Sequence, residues 1–235
     1  MCGRFTLRAS AETIAEQFAL FEAPAFAARF NIAPTQPVPV IRMPREQTLP
    51  RRELVWMRWG LVPAWAKDLA IGSRLINVRA ETAAEKPAFR AAVRSRRCLV
   101  VADGFYEWQR GGRTKQPYFI RLRGDRPFAF AGVWEVWEGT DHSMLESCAI
   151  LTTAANELVR PIHDRMPVIL SAADWAVWLD PAIEDPRQLM PLLVPYPSNE
   201  MESQPVGDFV NSPAHDSPRC VEPALQKGNI TLPGL

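Results

Sequence analysis

Near its start the chain reads Met1-Cys2-Gly3-Arg4. A small residue at position 2 favours removal of the initiator methionine, which would leave Cys2 carrying a free α-amine and a thiol on one residue. Such a 1,2-aminothiol condenses with an aldehyde to an imine, and the sulfur can then close a five-membered thiazolidine. The reference pKa values of amine and thiol, ~7.7–8.0 and ~8.5, keep both reactive forms present as minorities near neutrality. Arg4 beside them would favour deprotonation of both. Three polar residues in apolar settings could serve that chemistry. Glu107 lies between Tyr106 and Trp108, where a carboxylate is costly to desolvate unless paired. Asn77 follows Leu75-Ile76. His163, with Asp164 and Arg165, sits in a loop bounded by Pro161 and Pro167. Taken singly, each also fits a plain structural role: an outward-turned glutamate, a turn amide, a surface histidine. Together with an aminothiol they make up an acid, a hydrogen-bonding amide and a base.

The elements that must position these residues are mostly strands. Ser10 is placed to cap a helix whose apolar stripe is Ile14, Phe18 and Phe21, with Glu12 in the first turn. Asn31–Thr35 reads as a loop, and 38–41 and 54–59 read as strands. Pro87 opens a short helix bearing Phe89 and Val93. Residues 98–155 read as a β-meander: 98–102, a turn at Asp103-Gly104, 105–109, a turn at Gly111-Gly112, 118–122, a turn at Gly124-Asp125, then 128–137 and 148–153. A strand at 168–170 follows the histidine loop. Ser171 with Asp174 has the spacing of a capping box for a helix carrying Trp175, Trp178 and Leu179. Antiparallel strands with flanking helices, and no βαβ alternation, predict one compact α+β domain over 1–210. Residues 211–235, rich in proline, serine and glycine, are expected to form a partly ordered tail.

Composition narrows the setting. At 235 residues the chain can bury a core without staples. Cys2, Cys98, Cys148 and Cys220 lie far apart with no C-x-x-C pair, against a zinc ribbon or a disulfide framework. Neither a secretory signal nor a membrane-spanning run is visible, so the expected home is the cytoplasm. The net charge of +1 hides a segregation: residues 1–130 hold 22 Lys/Arg against 11 Asp/Glu, and residues 131–235 hold 5 against 15. That is either two halves attracting one another within a single fold or a basic face for a polyanion; the counts alone favour neither.

The stretches MCGRF (1–5), NIAPT (31–35), RWGLVPAW (58–65), INVRAET (76–82), RCLVVADGFYEW (97–108), LTTAAN (151–156) and IHDRMPVIL (162–170) resemble, in order, the SRAP family, the SOS-response-associated peptidases. The resemblance runs over roughly residues 2–210. One departure is Val101, where many members carry proline. The resemblance implies a compact α+β fold of twisted antiparallel sheet, with no metal or organic cofactor. It implies a protein of the DNA damage response that shields abasic sites in single-stranded DNA through a covalent thiazolidine crosslink and acts as a monomer in the cytoplasm, on the nucleoid. Cys2 would be the nucleophile, freed by an autopeptidase-type loss of Met1. Asn77 would hold the opened sugar, and Glu107 and His163 would move protons. Arg4, Arg79 and Arg165 would bind phosphates, with Thr152 a further polar contact. Pro34, Trp65 and Trp108 would line the DNA path, where aromatic faces suit unstacked bases. Three other readings compete with this one. A cysteine peptidase acting on proteins is the first, and a DNA-binding module without chemistry is another. The third is an N-terminal-nucleophile glutamine amidase, whose class II members begin MCGI rather than MCGR.

Overall fold

The computed structural model describes residues 2–44, 51–109 and 115–224. Two sheets share one core. The smaller is antiparallel, in the order β13 (Met201–Pro205), β8 (Gln116–Leu122), β7 (Gly104–Gln109), β1 (Phe5–Leu7) and β2 (Arg29–Ile32). The larger runs β11 (Arg165–Pro167), β10 (Met144–Ala154), β4 (Glu53–Trp59), β3 (Pro37–Arg42), β6 (Arg97–Ala102), β9 (Phe128–Glu138) and β12 (Ile169–Leu170). Pairing of β9 with β10 closes β10, β4, β3, β6 and β9 into a barrel, and β5 (Asn77–Arg79) joins β10 outside that circuit. The α+β expectation holds, with one refinement: β10 pairs in parallel with both β4 and β5. Among the described residues, four short α-helices lie outside the strands: α1 (Ala11–Gln17), α2 (Ala80–Ala83), α3 (Arg90–Ser95) and α4 (Trp175–Leu179).

The apolar runs form these strands because most are buried on both faces. Residues 97–102 and 128–134 are buried throughout, the pattern of strands covered on either side rather than of a half-solvated sheet. Phe5 joins the two sheets. Its ring lies 5.1 Å from that of Trp59 and 5.9 Å from that of Phe130, both edge-on, so a strand of the small sheet is anchored in the barrel core.

Local details depart from the sequence reading. Helix α1 is capped as expected, Ser10 accepting from Thr13 N. It ends at Gln17, and Ala19 takes a left-handed φ of 51°. The chain therefore turns before Phe21, which is 83% exposed instead of extending the stripe of Ile14 and Phe18. Phe18 stacks on Trp175 of α4 at 4.4 Å. The capping box at Ser171 does not form: its hydroxyl donates to Asp174 Oδ2 at 2.6 Å, and residues 172–174 make a 3₁₀ turn before α4. The glycine turn at 111–112 lies outside the described residues. Residues 211–224, placed in a loose tail by composition, pack against the small sheet. There Val206, Val210 and Cys220 bury against Tyr106 and Phe119, and Asn31 Nδ2 donates to the carbonyls of Val210, Ser212 and His215. Proline and serine here mark a chain without regular elements that is tied down by side chains.

Much of the charge segregation is spent inside the fold. Arginines of the first half pair with acids of the second: Arg29 with Asp216, Arg42 with Glu146, Arg96 with Glu135, Arg121 with Glu202 and Arg126 with Glu200.

Candidate functional site

Cys2 precedes β1, and the placement of β1 decides where the thiol goes. On one side β1 pairs with β7, Phe5 opposite Phe105 and Thr6 opposite Gly104, and Tyr106 N donates to Arg4 O at 3.0 Å. Continuing that register brings the chain before Phe5 alongside Glu107. At the other end Asp103, buried in the turn between β6 and β7, holds the exit of β1. It accepts from Thr6 Oγ1 at 2.5 Å, from Ala9 N at 2.9 Å, from Arg8 Nε at 3.1 Å and from Arg8 N. The sequence offered Asp103 only as a turn residue, yet its side chain ties down Thr6 of the first strand and the two residues Arg8 and Ala9 that follow it.

Asn77 reaches the same point from the barrel. Gly60 donates its N–H to Cys148 O at 2.8 Å, and Trp59 Nε1 donates to Ile76 O at 3.0 Å. Gly60 has φ +124°, and a Cβ there would stand 2.6 Å from Gly72 O, so only glycine lets these segments meet. With β5 seated against β10, Ile150 opposite Asn77, Asn77 Nδ2 donates to Cys2 O at 2.6 Å. Asn77 Oδ1, on the same amide, is buried and accepts no hydrogen bond from a described residue.

Cys2 is fully buried, its Sγ 3.7 Å from Arg4 O. Burial, and then the nearby Glu107 carboxylate, push the thiol pKa well above the ordinary range. The thiol is therefore protonated at neutral pH, with a carboxylate beside it able to take the proton. Glu107 is itself buried on β7, so the expected desolvated acid is in place. His163 is also buried, in the loop before β11. Its N–H donates to Val159 O at 2.9 Å, and Gln109 Nε2 at the end of β7 donates to Pro161 O at 3.1 Å, tying the histidine loop to the strand of Glu107.

The residues expected on a DNA path fall into three groups. Trp65, 62% exposed, and the exposed Arg79 line a groove of about 500 Å³ that opens beside Asn77, together with Arg74, Lys86 and Phe89. Arg4 and Trp108 form a second group, outside that groove's lining, the guanidinium 6.0 Å from the indole centroid. Arg4 Nη1 donates to Asn31 Oδ1 and to Val210 O, each at 3.1 Å, and Trp108 Nε1 donates to Asn211 Oδ1 at 2.7 Å. Burial lowers the Arg4 pKa from its ordinary value. Pro34 is half-buried in the turn between β2 and β3. The third group departs from expectation. Thr152 is completely buried with its hydroxyl on Val78 O at 3.3 Å, so the polar contact expected from it to DNA is replaced by one within the sheet. Arg165 spends its fork on Glu81, with distances of 2.6 and 2.8 Å, and on Thr152 O at 2.6 Å.

The site thus gathers a buried thiol, a carboxylate and an amide, and the amide also lines a groove with three cations and exposed aromatic surface. Comparison with known proteins bears on what such a site serves. Residues 1–213 match the family described as SOS response associated peptidase (SRAP). The chain belongs to that family. The abasic site processing protein YoqW of Bacillus subtilis is 43% identical over 226 residues, covering 94% of this chain and 99% of that protein. The abasic site processing protein HMCES of Gallus gallus is 37% identical over 197 residues, which cover 73% of this chain and 58% of that protein. A crystal structure of a Bacteroides thetaiotaomicron protein superposes with a TM-score of 0.84 at 26% identity, over 95% of this chain and all of that one. Among the described residues, no cluster of three or more His, Cys, Asp or Glu side chains could hold a metal ion. No helix among the described residues is long and apolar enough to cross a membrane.

Sequence reasoning missed Asp103, Asn31 and Glu81. Each lies inside a stretch that carries the family resemblance, ADG, NIAPT and INVRAET, which was the available signal. Their roles depend on partners 27 to 185 positions away in the chain, Arg4 to Asn31 being 27, Thr6 to Asp103 being 97 and Arg165 to Glu81 being 84, and spacing alone cannot show those.

Proposed function

We propose that this protein processes abasic sites in single-stranded DNA by linking itself covalently to the exposed sugar aldehyde. The observation that carries the reading is the hydrogen bond to the Cys2 carbonyl from Asn77, a residue that lines the basic groove, with the Glu107 carboxylate near the thiol. With Met1 removed, the α-amine of Cys2 attacks C1′ of the ring-opened deoxyribose. The carbinolamine loses one water to give an imine. The Cys2 sulfur then adds to the imine carbon, its proton passing to the nitrogen, and the thiazolidine closes with no other group lost.

The surroundings divide this work. Ring closure must take a proton from a thiol that burial keeps neutral, and Glu107 is the adjacent acceptor. Opening the sugar hemiacetal moves a proton between O4′ and the C1′ hydroxyl, a task suited to His163, whose ordinary pKa of ~6.5 lets it give and take protons near neutrality. Asn77, with one hydrogen bond committed to Cys2 and its Oδ1 open to a donor, orients the backbone next to the reacting amine and can receive a hydroxyl of the opened sugar. Arg79, Arg74 and Lys86 face phosphates along the groove, with Arg4 beside Trp108. Trp65 and Trp108 offer faces to unstacked bases.

Denaturing electrophoresis of the protein with a single-stranded oligonucleotide carrying one abasic site, against the intact oligonucleotide, tests this. A slow-migrating adduct confined to the abasic strand supports the proposal. Absence of any adduct, or an adduct equally formed by Cys2→Ala, contradicts it.

A further inference from the structure

The carboxylate of Glu81 has no part in the chemistry above, yet it makes a two-point contact beside the site. Its Oε1 and Oε2 accept from Arg165 Nη1 and Nη2 at 2.6 and 2.8 Å. The same Nη2 donates to Thr152 O at 2.6 Å. Such a fork-to-fork pair fixes direction as well as distance. The Arg165 side chain is 13% exposed and that of Glu81 50% exposed, so the pair sits at the rim with its cation turned inward. The Arg165 fork holds the Glu81 pKa below the usual carboxylate range.

The contact bridges two segments that carry the candidate catalytic groups. Glu81 lies in α2, directly after β5 with Asn77 and Arg79. Arg165 opens β11, two residues after His163. β10 runs between them, Thr152 pairing with Arg79 on one side and Ala154 with Arg165 on the other. β11 is only three residues long, and a strand end that short frays unless something beyond the ladder holds it. The Glu81–Arg165–Thr152 clamp holds this one at its first residue.

That residue also controls the imidazole. Arg165 N donates to His163 Nδ1 at 3.0 Å. Arg165 O and Asp164 Oδ1 lie 3.2 and 3.1 Å from the same nitrogen. A backbone N–H can only donate, so this contact selects Nδ1 of the neutral ring as acceptor, against the two oxygens, which would take an Nδ1–H. The proton then resides on Nε2.

We infer that Glu81 is a positioning residue for His163: by clamping Arg165 it holds the backbone N–H that fixes the imidazole as its Nε2–H tautomer. The kinetic part of this inference rests on the proton-transfer role proposed for His163; the tautomer part does not.

Two measurements test it separately. In long-range ¹H–¹⁵N spectra of histidine-labelled protein, neutral His163 of the wild type should show the Nε2–H tautomer, and Glu81→Gln should shift it toward a mixture. An Nδ1–H tautomer in the wild type, or an unchanged spectrum in Glu81→Gln, overturns the inference whether or not the protein crosslinks DNA. Single-turnover crosslinking against oligonucleotide concentration gives a maximal rate and a half-saturation point. Small misplacements of a reacting group lower rate more than binding, so Glu81→Gln should reduce the maximal rate roughly 10-fold and move half-saturation less than about twofold. Glu81→Asp, which keeps a carboxylate, should recover part of the rate. Arg165→Lys, which keeps the charge and loses the fork, should slow the reaction similarly. The double variant Glu81→Gln/Arg165→Lys should be no slower than the slower single, since both break one clamp. A changed half-saturation point with an unchanged maximal rate would overturn the inference by showing that Glu81 governs phosphate access to Arg165. A wild type that forms no adduct defeats the proposed function itself, and the spectra still decide the tautomer.

Discussion

Replacing Asp103 by alanine should loosen the first strand and with it the reactive residue. The carboxylate is 2% exposed and receives four hydrogen bonds, from the Thr6 hydroxyl, the Arg8 and Ala9 amides and Arg8 Nε. Alanine leaves the two amides without an acceptor and the hydroxyl with only Gly104 O at 3.3 Å, at about 1 kcal/mol for each lost bond and more where water cannot replace the carboxylate. Arg8 keeps Asp125 at 2.5 Å, so no cation is stranded. The sum is roughly 3–5 kcal/mol. For a chain of this size 1 kcal/mol corresponds to about 2–4 °C, so the melting temperature should fall by about 6–20 °C. Calorimetry measures the fall. Because β1 is three residues long, local fraying should accompany it and raise the alkylation rate of Cys2, followed by peptide mapping. As a control, Asp125→Ala, at a carboxylate 48% exposed, should cost less than ~1 kcal/mol. A drop below about 2 °C for Asp103→Ala with Cys2 still protected would refute the reasoning. It would mean that Phe5 and the β7 ladder hold the strand unaided.

Three further outcomes follow from the same geometry. Arg79→Ala should weaken binding of single-stranded DNA at every sequence and flatten the dependence of log affinity on log salt by up to ~0.7, the single-strand increment for one phosphate contact; an unchanged slope would place Arg79 off the DNA path. Glu107→Gln and His163→Ala should each slow crosslinking by ~10²–10⁴-fold while leaving non-covalent affinity within about twofold, and wild-type rates in both would make them structural residues. Because burial and Glu107 raise the Cys2 thiol pKa, its thiolate fraction at a given pH is below that of a free cysteine. Cys2 alkylation by iodoacetamide should therefore climb about tenfold per pH unit straight through the ordinary thiol pKa of ~8.5, and a plateau there would show an unshifted thiol.

How far the sequence reached differs between the strands and the site. Strands 97–102 and 128–134 were legible because their residues are apolar without interruption, and burial on both faces demands that. Phe5–Leu7 and Met201–Pro205 were not recognised as strands: the first is too short to show a period, and the second, Met-Glu-Ser-Gln-Pro, has little β character and is recruited by the free edge of β8. Phe21 failed because hydrophobic spacing says nothing about the left-handed Ala19 that ends the helix. In the site, Cys2, Asn77 and Glu107 stood out as polar or reactive residues in apolar settings, and the fold brings those three together. Thr152 and Arg165 carried motif positions, but their partners, Val78 O and Glu81, exist only once β5 and β11 flank β10. Composition could not show what holds residues 211–224 for a related reason, since Asn31 and Asp216 tie that segment with side chains rather than ladders.

The central claim is that the α-amine and thiol of Cys2 together form the covalent bond to an abasic site. Intact mass spectrometry of the product formed with an abasic single-stranded oligonucleotide tests it most directly, with digestion to locate the linkage. The account predicts one adduct whose mass equals the chain without Met1 plus the oligonucleotide less one water, mapped to Cys2 and absent from Cys2→Ala. An adduct on a lysine, an adduct retaining Met1, or full crosslinking by Cys2→Ala would contradict it.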